Sequence, residues 1–207
     1  MKRYICILVA SIFLVSTLKA QLSYGVKAGG SLTALPGNIG KSSSKAGFYA
    51  GVFGAIPVCK LFSLQAELNY SAQGCKQTLI NNETWNPVTG YYTPASEEKD
   101  PFRLNYLNLP VLVKYKTTSG FFVEAGLQAG WLLGAHVKSS NHGTADLKEA
   151  YKTFDLSWSA GVGYQLRNGL GVNLRYNRSL TDISKWEDYS THNSVAQLGL
   201  IYVLSKH

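Results

Sequence analysis

From Leu61 to Ser71 the chain alternates without a break, Phe62, Leu64, Ala66, Leu68 and Tyr70 interleaving with Ser63, Gln65, Glu67, Asn69 and Ser71. On a helix Phe62, Glu67 and Asn69 would fall on mixed faces, whereas a strand sends alternate side chains to opposite sides. The run therefore predicts a strand with one wholly apolar face and one polar, charged face. A soluble barrel or sandwich would enclose the apolar face; a membrane barrel would turn it to lipid.

The same period recurs along the chain. Leu22, Tyr24, Val26 and Ala28 oppose Ser23, Gly25, Lys27 and Gly29, and Phe48, Ala50, Val52, Gly54 and Ile56 share a second apolar face. Further on, Leu107, Leu109, Val111, Val113 and Tyr115 oppose Asn108, Leu112 and Lys114, while Val123 to Leu133 alternates with Glu124, Gly126, Gln128 and Gly130. Runs beginning at Phe154, Leu170 and Leu198 complete a predicted set of eight strands. Pro110 lies inside one of them, which predicts an edge strand or a bulge at that point. Long connections (33–44, 72–101, 137–152 and 181–193) alternate with short ones (57–60, 117–120 and 167–169). Short turns on one side and long loops on the other are the asymmetry of outer-membrane barrels. The continuous apolar face carries no charge, while Lys27, Glu67, Lys114, Glu124, Arg175 and Gln197 sit on the other. The fold class expected is all-β, an eight-stranded antiparallel up-and-down transmembrane β-barrel. Alternation alone leaves open a soluble lipocalin-like binding barrel, in which the enclosed face is the apolar one.

The N-terminus favours the membrane reading. Met1-Lys2-Arg3 is a basic start, Ile5 to Leu18 is a 14-residue apolar run, and Ala20 precedes Gln21. This predicts a secretory signal peptide over residues 1–20 and a barrel domain over 21–207. The run is shorter than the ~20 residues a spanning helix needs. Without Lys2, Arg3 and Lys19, the 20 Lys+Arg of the chain fall to 17 against 12 Asp+Glu, a net charge of +5 dispersed along the sequence. No basic run exceeds a pair, so nucleic acid is excluded as a partner. Cys59 and Cys75 flank the Leu61–Ser71 strand, which would hold them roughly 35 Å apart and therefore unpaired.

Several segments resemble a known family. Gly25-Val26-Lys27-Ala28-Gly29, Gln65 to Ser71 followed by Gly74, Tyr106 to Tyr115, Ala160 to Tyr164 and Leu174 to Asn177 are similar to the PorT-like outer-membrane β-barrel family of Bacteroidetes. The resemblance covers essentially the whole chain after residue 20. It implies an eight-stranded outer-membrane barrel and a link to secretion through the outer membrane. Asn108 departs from the family pattern, which carries Glu there, so a lumen charge pair is missing or rearranged.

Lys27, Glu67, Lys114, Glu124 and Arg175 are expected to face the lumen as one charge network, with Lys114 and Glu124 neighbours across a tight turn. Eight strands leave an interior that side chains can fill, so a plugged polar lumen is the expectation, against a proton or ion pathway. The rival class is an outer-membrane lipid-modifying enzyme, which needs His, Ser and a carboxylate turned to lipid. His136 has lumen parity at the end of its strand, His142 and His192 fall in loops, and His207 is terminal; His142 beside Thr144 and Asp146 reads as a solvated loop. No catalytic, metal-binding or cofactor-binding residues are expected; the Gly-x-Gly pairs at Gly161 and Gly169 lack a following helix. The 72–101 loop is long and carries Trp85, Tyr91 and Tyr92, and Trp186 stands in the last loop. These residue types favour binding surfaces, so the four are candidates for loop recognition. The expected role is structural or interactive, the partners being outer-membrane lipid, the barrel-assembly machinery, and envelope or secretion proteins met through the loops. N-terminal sequencing of the membrane-fraction protein should begin at Gln21; recovery of Met1 there would overturn the cleavage reading.

Overall fold

A computed structural model describes residues 22–34, 42–81, 84–86, 91–93, 96–139, 143–146, 151–182 and 192–204. The strands in chain order are β1 (Ser23–Ala34), β2 (Ser42–Pro57), β3 (Phe62–Gln73), β4 (Cys75–Asn81), β5 (Thr84–Asn86), β6 (Tyr91–Thr93), β7 (Ser96–Lys116), β8 (Phe121–Ser139), β9 (Gly143–Asp146), β10 (Phe154–Gln165), β11 (Leu170–Ser179) and β12 (Ser194–Val203). Eight of them form a ring, β1–β2–β3–β7–β8–β10–β11–β12, each antiparallel to the next. The ring closes where β12 pairs β1 from Gly25↔Val203 to Ala34↔Ser194. The fold is a closed eight-stranded antiparallel β-barrel.

Three details differ from the sequence reading. Residues 72–101, expected as an irregular loop, carry more sheet: β4 continues β3 past Gly74, whose φ is 140°, and pairs both β2 and β7. The β5–β6 hairpin lies in the same segment, and β9 folds back on the end of β8. Their sequences sustain no one-sided alternation to betray them: Leu79 and Ile80 are adjacent in β4, and Trp85, Tyr91 and Tyr92 stand among polar residues in β5 and β6. Second, Pro110 sits at neither an edge nor a bulge, because β7 is paired on both sides. The ladder to β3 instead runs to Ala66↔Val111 and resumes at Asn69↔Asn108, leaving Pro110 in the gap. Third, the bulge lies higher: Asn105 pairs Gly134 but Tyr106 pairs Leu132, so Leu133 is an extra residue in β8. An extra residue reverses the phase of a strand. Leu132 and Ala135 are both buried as a result, and His136, expected in the lumen, is exposed.

The barrel is inside-out by soluble standards. Lys27, Glu67 and Arg175 are 3%, 2% and 1% exposed, whereas Leu64, Val111, Leu127, Leu174 and Leu198 lie open on the outer face. A lipocalin-like barrel would reverse that arrangement. At the short-turn end the outer face carries Tyr24, Phe121, Tyr164 and Tyr202, with the Phe62 and Tyr115 rings 5.1 Å apart. At the loop end Phe48 meets Tyr70 at 6.0 Å, Trp131 meets Phe154 at 5.9 Å and Trp158 meets Tyr176 at 5.5 Å. Phe121 and Trp131 bound the band on β8; at ~3.3 Å per residue and a tilt of ~40°, the residues between them rise roughly 25 Å, the height of an outer-membrane apolar band. No helix among the described residues is long and apolar enough to cross a membrane; the strands cross instead.

Small lumen residues make room for large ones. A Cβ on Gly163 would lie 2.3 Å from Phe122 Cζ, and one on Gly199 would lie 2.1 Å from the Tyr49 hydroxyl. Leu127→Arg, near the middle of the band, should reduce the free energy of folding into phospholipid vesicles by about 2–4 kcal/mol. Val58→Arg, in the exposed β2–β3 turn, should change it little, and equal effects in urea titrations of the two variants would contradict the facing.

Candidate functional site

The buried charges meet in one layer of the lumen. Ring order sets β3 and β11 on opposite walls, four strands apart either way round. From β11, Arg175 spans the interior and grips Glu67 of β3 with both terminal nitrogens, Nη1 to Oε2 and Nη2 to Oε1, each at 2.7 Å. Two parallel N–H···O bonds between ions are the strong form of the contact. Arg175 also donates from Nε to Glu124 Oε1 at 2.8 Å, and its Nη2 lies 2.5 Å from the same oxygen. Lys27 of β1 approaches Glu67 Oε2 at 3.0 Å. Gln65 and Asn69, two residues either side of Glu67 on β3, donate to its two oxygens at 2.6 and 2.7 Å.

Glycines on the intervening strands open the way for these contacts. Gly51 of β2 stands in register between Lys27 and Asn69, beside Glu67, and Gly161 of β10 stands between Glu124 and Arg175. A Cβ on Gly161 would lie 2.9 Å from the Leu174 carbonyl oxygen and 3.1 Å from Glu124 Oε1. Any side chain there would push into the ion pair.

Lys114 faces Glu124 in register across the β7–β8 hairpin. Its ammonium turns elsewhere, donating to Gln65 Oε1 at 3.3 Å and standing 3.8 Å from the centre of the Phe122 ring. Lys27 likewise lies 5.5 Å from the Tyr49 ring, and the Tyr49 hydroxyl donates to Asn173 Oδ1 at 3.4 Å. The five charged residues of the sequence analysis thus lie in one layer, Lys114 without a salt bridge to either carboxylate among those seen in the described residues.

Sequence reasoning missed the amides that hold Glu67 and a second polar cluster nearer the loops. Asp155 of β10 is buried, accepting from Ser157 Oγ at 3.1 Å, from Thr181 Oγ1 at 2.9 Å and from the Ser179 hydroxyl. Its polar-face parity was the available signal. Apolar clusters flank the stack at both ends: Phe53, Phe122, Ile201 and Val203 toward the turns, and Leu104, Tyr106, Leu132 and Ala135 toward the loops. Tyr49, Phe53, Leu112 and Phe122 add four buried side chains to the filling of the lumen.

The loop candidates are placed less fully. Trp85 stands opposite Tyr92 and Asn86 opposite Tyr91 in the β5–β6 backbone ladder, their side chains lying outside the described ones. Trp186, His142 and His207 lie outside the described residues. Cys59 is free and exposed in the β2–β3 turn. Among the described residues no group of three or more His, Cys, Asp or Glu is placed to hold a metal.

The family model described as outer membrane protein beta-barrel domain matches residues 16–185. The chain belongs to that family. It is an outer-membrane protein, and its apolar outer face is the surface that meets lipid. In fold it is similar to Neisserial surface protein A, at 14% identity and a TM-score of 0.56, covering 86% of this chain and 96% of that one. It is also similar to Ail, the attachment invasion locus protein of Yersinia pestis, solved with the heparin analogue sucrose octasulfate. There the identity is 13% and the TM-score 0.51, covering 89% of this chain and 99% of that one. At such identities the likeness is one of fold. No curated protein matches the chain in sequence.

Removing one partner of a buried ion pair strands the other, at a cost of about 3–5 kcal/mol. Glu67→Ala should therefore lower the urea midpoint of the folded barrel strongly, and Gly161→Val should lower it through the Glu124–Arg175 contact. An unchanged midpoint for both would mean that the layer does not hold the barrel.

Proposed function

We propose that this barrel is a non-conducting outer-membrane scaffold, its lumen plugged by the Arg175–Glu67–Glu124–Lys27 layer and its role structural or interactive through the loops. The observation that carries the reading is Arg175, 1% exposed and bonded to carboxylates on two other strands, Glu67 lying on the opposite wall. An eight-stranded barrel has an interior that side chains can fill, whereas open porins use 16–18 strands. Outer-membrane lipid, barrel-assembly machinery and envelope proteins are the partners in this proposal. No catalytic step enters it, because Glu67 and Glu124 are engaged with fixed cations rather than open to a substrate. The motifs from Gly25 to Gly29 and from Tyr106 to Tyr115 support a PorT-like assignment within the family, and with it a secretion link.

Single-channel recording in planar bilayers tests the plug. The unmutated protein should show no steady conductance, while Glu67→Ala and Arg175→Ala should admit ions if they still fold. Steady conductance by the unmutated barrel would refute the plug and favour an ion pathway.

A further inference from the structure

The turn end of the barrel holds a cavity that the plug leaves open. Its volume is about 410 Å³, and it lies between the β2–β3 turn and the floor formed by Gln65 and Lys114. Ligand pockets run from roughly 300 to 1,000 Å³. Phe53 and Val203 give it an apolar wall, and its polar side is basic, with Lys60 on the turn, Lys116 near the end of β7 and Lys114 at the floor. Among the described residues that line it, none is Asp or Glu.

The charge balance of the neighbouring layer makes this basicity significant. Lys27, Lys114 and Arg175 supply three positive charges against the two of Glu67 and Glu124, and both carboxylates are bonded to Arg175. Asp155, the other buried lumen carboxylate among the described residues, is not close enough to compensate. It lies six residues along β10 from Gly161, roughly 20 Å along the strand. Lys114 is left 6% exposed, with one neutral hydrogen-bond acceptor, Gln65, and an aromatic face. A buried ammonium gains most from an anion that can take its remaining donors. Lys116 already donates to Gln165 Oε1 at 3.0 Å, which fixes its stem along the cavity wall.

We propose that this turn-side vestibule binds a small oxyanion carrying two or more negative charges, such as a phosphate or a polycarboxylate. Lys114 anchors it in the buried floor, and Lys60 and Lys116 meet it at the rim. Short turns mark the periplasmic end of such barrels, so the site samples periplasmic solutes and not the medium outside the cell.

Calorimetric titration of the full, folded barrel in a zwitterionic detergent, with citrate and with inorganic phosphate as probes, tests the site. Saturable binding of one equivalent is expected, weakening as sodium chloride is raised. Lys114→Gln should weaken it about tenfold, the scale of one charge-assisted contact. Lys60 is exposed in the β2–β3 turn, and Lys60→Gln should weaken binding several-fold. Lys152→Gln, at the loop end, should leave binding unchanged. Absence of saturable binding of both probes by the unmutated barrel would overturn the proposal. So would full-strength binding by Lys60→Gln, or an equal loss in Lys152→Gln.

Discussion

A polypeptide that crosses hydrocarbon has no water to satisfy its N–H and C=O groups, so every one of them must find a partner within the chain. For strands the solution is a ring, and the pairing of β12 with β1 over Gly25 to Ala34 makes the sheet one. Once the ring is closed, inside and outside are chemically separate, and strand alternation assigns each residue to one or the other. Exposed Leu127 and Leu174 and buried Glu67 and Arg175 are two outcomes of that one constraint.

Closure then creates a second problem, which the lumen solves. Polar side chains that cannot face lipid are packed into a narrow interior where an unpaired charge is costly. The remedy is local and geometric: a bidentate Arg–Glu contact across the diameter, amides on either side of Glu67, and glycines on the intervening strands. Where compensation stops, at Lys114, the structure has a cavity rather than a packed side chain.

The ring, the strand count and the facing of the five lumen charges were legible in the sequence because each strand repeats a two-residue period imposed by the boundary between lipid and lumen. The extensions β4 and β9 were not, since no one-sided apolar period is sustained there: Leu79 and Ile80 are adjacent in β4, and β9 holds only Gly143, Thr144, Ala145 and Asp146. His136 was misplaced because one added residue, Leu133, reverses parity without leaving a compositional mark. Pro110 misled in the opposite direction: its missing donor falls at a gap in the ladder to β3, which no local rule anticipates. Partners within the lumen were illegible for a different reason. Which side chains share a layer depends on the stagger at closure, so the meeting of Glu67 with Arg175 had to come from the assembled ring, while Lys114 and Glu124, joined by a short turn, were visible as neighbours.

The separation of Glu67 from Arg175 by 108 positions bears on how the barrel assembles. Contacts this distant in sequence form only after most of the chain has been arranged, and their loop-closure cost is met before they contribute. Until β11 arrives opposite β3, Glu67 has only Lys27 and its flanking amides, and Glu124 has not met Arg175. An incomplete sheet therefore carries partly neutralised carboxylates that resist leaving water. The strand that carries Arg175 acts as a latch: it brings the guanidinium that lets the strands opposite settle, which ties commitment to the bilayer to completion of the circle.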